Sequence, residues 1–274
     1  MACPRSPLLL GLGLALGSAA CDDTSPLDEP GIDASTLGAC PSDAGFDAGV
    51  SMSVSFIHNS FGVAGRYEPL PVVEGIGPNV GCGGGCVVRE VYPTDAGVRD
   101  GGPPVPTGTI SVSWVDGGVV IPPPHHRGST TATLIGGEVL TLTAAGDASG
   151  YAPWSATITA PPGVVLQLWA PGAVHSRGQP LALAWTLPSG AVAAGVLEFT
   201  FTEVGAGTPY HQAFCTFPIA NLSAVVPAGV LGALQAGNVG VGVTARGGPE
   251  WLTVPPLELS VLHFPAPVPP LTLE

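Results

Sequence analysis

The sequence predicts an all-β protein with two β-sandwich-like domains, and three observations lead to this prediction. Short runs alternate polar and apolar residues and are rich in Val, Ile and Thr, as half-buried strands are. Clusters of Gly and Pro separate these runs, as turns do. No window of twelve or more residues shows a convincing amphipathic helix.

The chain begins with a short apolar segment that predicts export. Residues 8–17 are apolar over about the length of a signal-peptide core. This run is too short to span a bilayer, which needs about 20 apolar residues. Ser18, Ala19 and Ala20 are small, as a signal peptidase requires just before its cut. Residues 1–20 are therefore predicted to be a signal peptide.

Cys21 follows the small residues, and this arrangement resembles a bacterial lipoprotein signal. The resemblance implies that Cys21 is lipidated and anchors an exported protein to a membrane of the cell envelope. The sequence departs from the family pattern at Ser18, where Leu is usual. The alternative is an ordinary secretory signal cut at the same bond. Asp22 and Asp23 resemble an inner-membrane retention signal of enteric bacteria, but the choice between outer and inner membrane stays open.

The composition is acidic and argues against two classes of partner. The chain has seven basic residues, all Arg, and a formal net charge of −13, which becomes −13 − 1 = −14 when Arg5 leaves with the signal. An acidic surface repels phosphate backbones, so we expect no nucleic-acid partner. No polybasic segment is present to bind anionic lipid headgroups. Membrane attachment is therefore expected to come from acyl chains on Cys21 alone.

After the signal, the chain divides by composition. Residues 21–50 are predicted to be the lipidated Cys and a disordered acidic tether, because they are rich in Asp, Ser, Pro, Gly and Ala and lack apolar periodicity. A β-rich domain is predicted over 51–162. Its strand-like runs lie at 51–58, 86–92, 108–115, 138–144 and 154–160.

A Pro-Pro-Gly sequence at 161–163 marks the predicted start of a second domain, which spans 163–264. One or two helical turns are predicted within 226–234, and residues 265–274 are predicted to be a C-terminal tail. The strand-like runs of this domain lie at 164–171, 180–188, 196–204, 212–219, 239–248 and 257–264. Six strands in about 100 residues is a density typical of a β-sandwich.

Two of these runs resemble strands of a fibronectin type III domain, and immunoglobulin-like is an equally fair description. PLALAWT at 180–186 is similar to the second strand of that family, and VGVGVTARGG at 239–248 is similar to the penultimate strand and its turn. The resemblance implies that Leu181, Leu183 and Trp185 share the core face. Valines stand where the family has a Tyr in the penultimate strand. The whole layout also resembles uncharacterised surface lipoproteins of myxobacterial type, which implies no activity.

The strongest local chemical signal is CGGGC at 82–86. We expect a disulfide between Cys82 and Cys86, because an exported protein lies in oxidising surroundings. A zinc site would need two further ligands, and no His lies within twenty residues. Cys40 and Cys215 remain, and sequence cannot choose among the three pairings of four cysteines. Cys215 alternates with apolar neighbours and is predicted to face the core.

No catalytic, cofactor-binding or metal-ligating residue is predicted. The chain lacks H-E-x-x-H, G-x-S-x-G and the nucleotide-binding fingerprints, and the adjacent His125 and His126 would point to different sides of an extended chain. Aromatic rings near strand ends could stack on sugars, but core filling is favoured because no three lie on one strand face. These aromatic residues are Trp114, Tyr151, Trp154, Trp169 and Trp251.

Together these observations predict a non-catalytic lipoprotein of the cell envelope with a binding, spacer or structural role. The first alternative is a carbohydrate-binding or adhesion module whose partner is a surface polysaccharide or protein. The second alternative, from a different class, is a secreted hydrolase without a recognisable motif. No cofactor is expected under any of the three interpretations.

Overall fold

A computed structural model describes residues 50–57, 60–69, 76–92, 108–123, 129–130, 134–148, 152–205, 209–253 and 256–274. All of them belong to one compact unit. The predicted signal peptide, the predicted lipidation site Cys21, the predicted tether up to residue 49 and Cys40 lie outside the described residues.

The fold is all-β, as predicted. The one α-helix among the described residues is α1 (Ala228–Ala233), which lies within the predicted helical stretch and follows Pro227. A single 3-10 turn covers Ile219–Asn221. No helix in this part of the chain is long and apolar enough to cross a membrane. The strands are β1 (Val50–Ile57), β2 (Ser60–Pro69), β3 (Ile76–Gly83), β4 (Cys86–Val91), β5 (Ile110–Trp114), β6 (Gly117–Ile121), β7 (Ser129–Thr130), β8 (Val139–Ala144), β9 (Trp154–Thr159), β10 (Val165–Gln167), β11 (Val174–His175), β12 (Leu181–Thr186), β13 (Val196–Glu203), β14 (Tyr210–Pro218), β15 (Ser223–Val226), β16 (Gly237–Thr253), β17 (Pro256–Phe264) and β18 (Leu271–Leu273).

The largest sheet has eleven strands and connects distant parts of the chain. Its main path runs β3-β4-β14-β13-β16-β17-β1-β2-β7; β18 also pairs with β16, and β11 pairs with β18. Most neighbours are antiparallel, whereas β1 pairs with β17 and β11 with β18 in parallel. The sheet therefore includes strands from both sides of residue 163, where the sequence places a domain boundary. That boundary stays a prediction.

Two smaller sheets accompany the large one, and each lines a hydrophobic core. The three-stranded sheet β10-β12-β15 shares a core with β13, β14 and β16 of the large sheet. The four-stranded sheet β6-β5-β8-β9 forms a second core, to which β17 contributes Val261. In each case an alternating strand buries one row of side chains and leaves the other row outside, which is why the runs alternate in sequence.

The alternation around Trp185 is confirmed. Leu181, Leu183 and Trp185 are buried, while Ala182 and Thr186 on the opposite face of β12 are exposed. The Trp185 indole packs against Phe199 with ring centroids 6.5 Å apart. A strand repeats every two residues, so the sequence alternation alone predicts this buried row of side chains.

The predicted Cys82–Cys86 disulfide is wrong. Cys86 is bonded to Cys215, because β4 pairs with β14 in a register that places these two residues directly opposite each other. Within the β3–β4 hairpin, Gly83 faces Cys86 and Cys82 faces Val87. Side chains alternate along a strand, so Cys82 and Cys86 lie on opposite faces of the hairpin. Cys82 is itself disulfide-bonded, and its partner is not one of the described cysteines.

The end of the predicted C-terminal tail is also a strand. Residues 271–273 form β18, which pairs with β11 and β16, and Leu271 and Leu273 are buried. A three-residue run is too short for an alternating pattern to identify, and it follows a proline-rich segment.

Candidate functional site

One charged side chain is buried among the residues whose burial the structure describes. It is Glu203, which is 7% exposed and lies at the end of β13. The strand buries every second residue, so Glu203 occupies the same row as Phe199 and Phe201. A buried carboxylate is costly unless hydrogen-bond donors compensate for lost water.

The Glu203 carboxylate receives such donors from two directions. The backbone N–H of His211 donates to Oε2 at 2.9 Å, and the backbone N–H of Gln235 donates to Oε1 at 2.5 Å. The His211 Nδ1 atom lies 3.4 Å from Oε1. Glu203 therefore connects the start of β14 to the turn after α1. Two of its three partners are main-chain groups, which is the geometry of a structural anchor rather than of an acid–base pair facing a substrate.

An apolar cleft of about 500 Å³ indents the described surface. This volume lies within the range of ligand pockets, which is about 300–1,000 Å³. One wall follows β10 and the residues around it. That wall contains Gly163, Val164, Val165, Leu166 and Leu168.

The opposite wall of the cleft is residues 263–267, where β17 ends in a Pro-Ala-Pro sequence. Leu134, Ile135 and Pro188 complete the lining. His263 is the one ionisable side chain among the described residues of the cleft, and its imidazole lies beside Gly163. Among its described lining residues, the cleft therefore offers apolar contact and main-chain groups, but no carboxylate or guanidinium.

The four-stranded sheet presents a second surface, which is rich in hydroxyl groups. The register places Ser111 opposite Thr143, and Ser113 opposite Thr141. Thr157 faces Thr141 on the next strand. Since each of these strands buries its alternate residues, the hydroxyl rows form the outer face of an amphipathic sheet. No aromatic ring or charged side chain lies in these rows.

The described Trp side chains do not form a sugar-stacking platform. Trp154 and Trp185 are buried, and the indoles of Trp114 and Trp169 are partly buried. The Nε1 atom of Trp169 donates to the Pro269 carbonyl at 3.1 Å, which ties this ring to the C-terminal segment. Tyr151, the side chain of Trp251, and His125 and His126 lie outside the described residues.

Metal chemistry has no candidate site in the part of the chain that the structure describes, where no three His, Cys, Asp or Glu side chains converge.

The sequence did not predict the apolar cleft. Its walls come from residues about 100 positions apart, and each wall reads in sequence as an ordinary apolar run next to proline. The Pro-Ala-Pro after β17 was the available signal, since proline interrupts a strand there.

No protein-family model and no curated protein sequence matches the chain.

Proposed function

We propose that this chain is a non-catalytic, lipid-anchored binding protein of the cell envelope. The observation that supports the proposal is the disulfide between Cys86 and Cys215. Both cysteines are buried, and they join β4 to β14 across 129 residues of chain. Disulfides of this kind persist in oxidising compartments. This agrees with the export signal at residues 1–20 and with lipidation at Cys21.

The geometry favours a binding role over a spacer role alone. A β-sheet scaffold stabilised by a buried disulfide holds its surface features in fixed positions, and one of those features is the apolar cleft. A lipid anchor on Cys21 would keep that cleft at the membrane surface, at the end of the predicted tether.

The test is Cys21→Ser, with Asp22→Ser as the matched control. We expect the wild-type chain and the Asp22→Ser variant in the membrane fraction, with Cys21 carrying a lipid mass. Cys21→Ser should be released from the membrane fraction or accumulate unprocessed. An unmodified Cys21 at the mature N-terminus of the wild-type protein, seen by intact-mass analysis, would contradict the anchoring proposal.

A further inference from the structure

One edge of strand β10 pairs with no described strand, and the register of β10 with β12 shows which main-chain groups point toward that open edge. The Trp185 N–H donates to the Leu222 carbonyl at 3.0 Å, so the main chain of Trp185 faces β15. In an antiparallel ladder, the N–H and C=O of one residue point to the same side. Leu166 pairs opposite Trp185. The N–H and C=O of Leu166 therefore point away from β12, toward the open side of β10.

The apolar cleft lies along this open edge. It contacts Val164, Val165 and Leu166 in succession. Successive side chains of a strand point to opposite faces of the sheet, so a cleft that touches consecutive residues follows the edge rather than one face. Among the described strands, β10 pairs with β12 alone.

The opposite wall does not complete the sheet. Pro265 and Pro267 have no amide hydrogen, so this segment lacks the donors that a strand beside β10 would need. The edge of β10 and residues 263–267, called the proline wall below, thus enclose a cleft with the outward-pointing main-chain groups of Leu166 on one side and apolar surface on both.

We propose that the cleft binds an extended, uncharged peptide segment of a partner protein, which adds as a strand to the edge of β10. In strand addition, main-chain hydrogen bonds orient the peptide, and pockets for alternate side chains select it. His263 is the one ionisable group of the lining. The described lining therefore supplies no carboxylate to bind a cationic peptide, and the net charge of −13 repels an anionic one.

This inference rests on the proposed binding function and names the chemistry of its ligand. With only three residues in β10, few main-chain bonds form, so apolar contacts in the cleft must contribute much of the affinity. The partner segment should therefore carry aliphatic side chains at every second position, with polar neutral residues between them.

The experiment measures peptide binding to the full-length chain, purified after export from an expression host. The probe is a dye-labelled, end-blocked peptide of alternating Ser and Val, followed by fluorescence anisotropy. Two control peptides accompany it, one with its three central amide nitrogens methylated and one with Asp in place of Val. We expect saturable binding of the probe, and at least about tenfold weaker binding of both controls, because methylation removes the main-chain donors.

A cleft-filling variant tests the location. Ala266 is exposed on the proline wall, so Ala266→Trp should fill the cleft without disturbing a core. Ala170→Trp is the matched control, since Ala170 is exposed and lies outside the lining. We expect at least about a tenfold loss of affinity for Ala266→Trp and less than about a twofold change for Ala170→Trp. Unchanged far-ultraviolet dichroism establishes that both variants fold.

Three results would overturn the inference. They are no saturable binding of the probe, equal binding of the methylated peptide, and unaltered affinity of Ala266→Trp. Equal binding of the methylated peptide would show that the cleft is a plain apolar pocket. Failure here leaves the Cys21 anchoring proposal standing, because membrane fractionation and lipid mass do not depend on peptide binding.

Discussion

At the scale of single residues, the side chains that matter most combine burial with a specific hydrogen bond. The Trp185 indole is 2% exposed, and its Nε1 donates to the Ile219 carbonyl at 2.9 Å. The Glu203 carboxylate satisfies main-chain donors in the same way. In both cases removal of the side chain has two costs, a cavity and an unsatisfied polar group.

Trp185→Ala should lower the free energy of unfolding by about 3–5 kcal/mol, since neighbours fill a core cavity only in part. Thr186→Ala, on the exposed face of the same strand, should change it by less than about 1 kcal/mol. Denaturant unfolding of the full chain, followed by far-ultraviolet dichroism, measures both. Equal small effects would mean that Trp185 is not a core residue.

Glu203→Leu should lower the free energy of unfolding by about 2–4 kcal/mol, because it leaves the amides of His211 and Gln235 without their acceptor. Glu198→Leu is the control on the same strand. Glu198 forms a partly exposed ion pair with Arg246 at 3.3 Å, and such pairs contribute less than about 1 kcal/mol. A larger effect at position 198 than at 203 in thermal or denaturant unfolding would contradict the anchor role.

At the scale of elements, the informative pairing is that of β4 with β14. The β3–β4 hairpin is local, and its Gly84 adopts the positive φ of +56° that favours glycine in the connecting turn. The pairing of β4 with β14 joins residues more than 100 positions apart. It brings Cys86 opposite Cys215, so the disulfide covalently secures this long-range pairing.

Peptide mapping without reduction should recover the peptide that contains Cys86 cross-linked to the peptide that contains Cys215. Cys86→Ala, Cys215→Ala and the double variant should each lose a similar free energy of unfolding, at most about 4–5 kcal/mol for a loop of 129 residues. The three values should agree because each variant removes the same bond. Recovery of Cys82 and Cys86 in one closed peptide would contradict this pairing.

At the scale of the whole molecule, the large sheet collects strands from both ends of the described chain. β1 lies beside β17, and β18 at the C-terminus closes onto β16. The two hydrophobic cores lie on strands of this sheet, through Val261 in one and Leu271 and Leu273 in the other. The C-terminal residues are therefore part of the fold.

Deletion of residues 271–274 should destabilise the protein by about 3–6 kcal/mol, since burial of each leucine contributes about 1.5–3 kcal/mol. Thr272→Ala is the matched control. Its hydroxyl forms an exposed hydrogen bond with Asn238, so the loss should be under about 1 kcal/mol. A truncated chain with wild-type thermal stability would show that the segment is a tail, as the sequence alone suggested.

Local patterns determined most of the strands and one core row. Each long alternating run became a strand, and Leu181, Leu183 and Trp185 share a buried face because a strand repeats every two residues. The short helix after Pro227 was also predicted from the local sequence, within residues 226–234. The export signal at Cys21 is likewise a property of neighbouring residues, and it remains a prediction.

Only the tertiary structure decided which strands meet. Alternation says which face of a strand is buried, but it does not say which distant strand lies beside it. Three features depend on contacts between segments that are distant in sequence. They are the partner of Cys86, the strand formed by Leu271–Leu273 and the cleft between β10 and the proline wall. The physical reason is that a side chain's face is set by its immediate neighbours along the chain, whereas pairing is set by the packing of whole sheets.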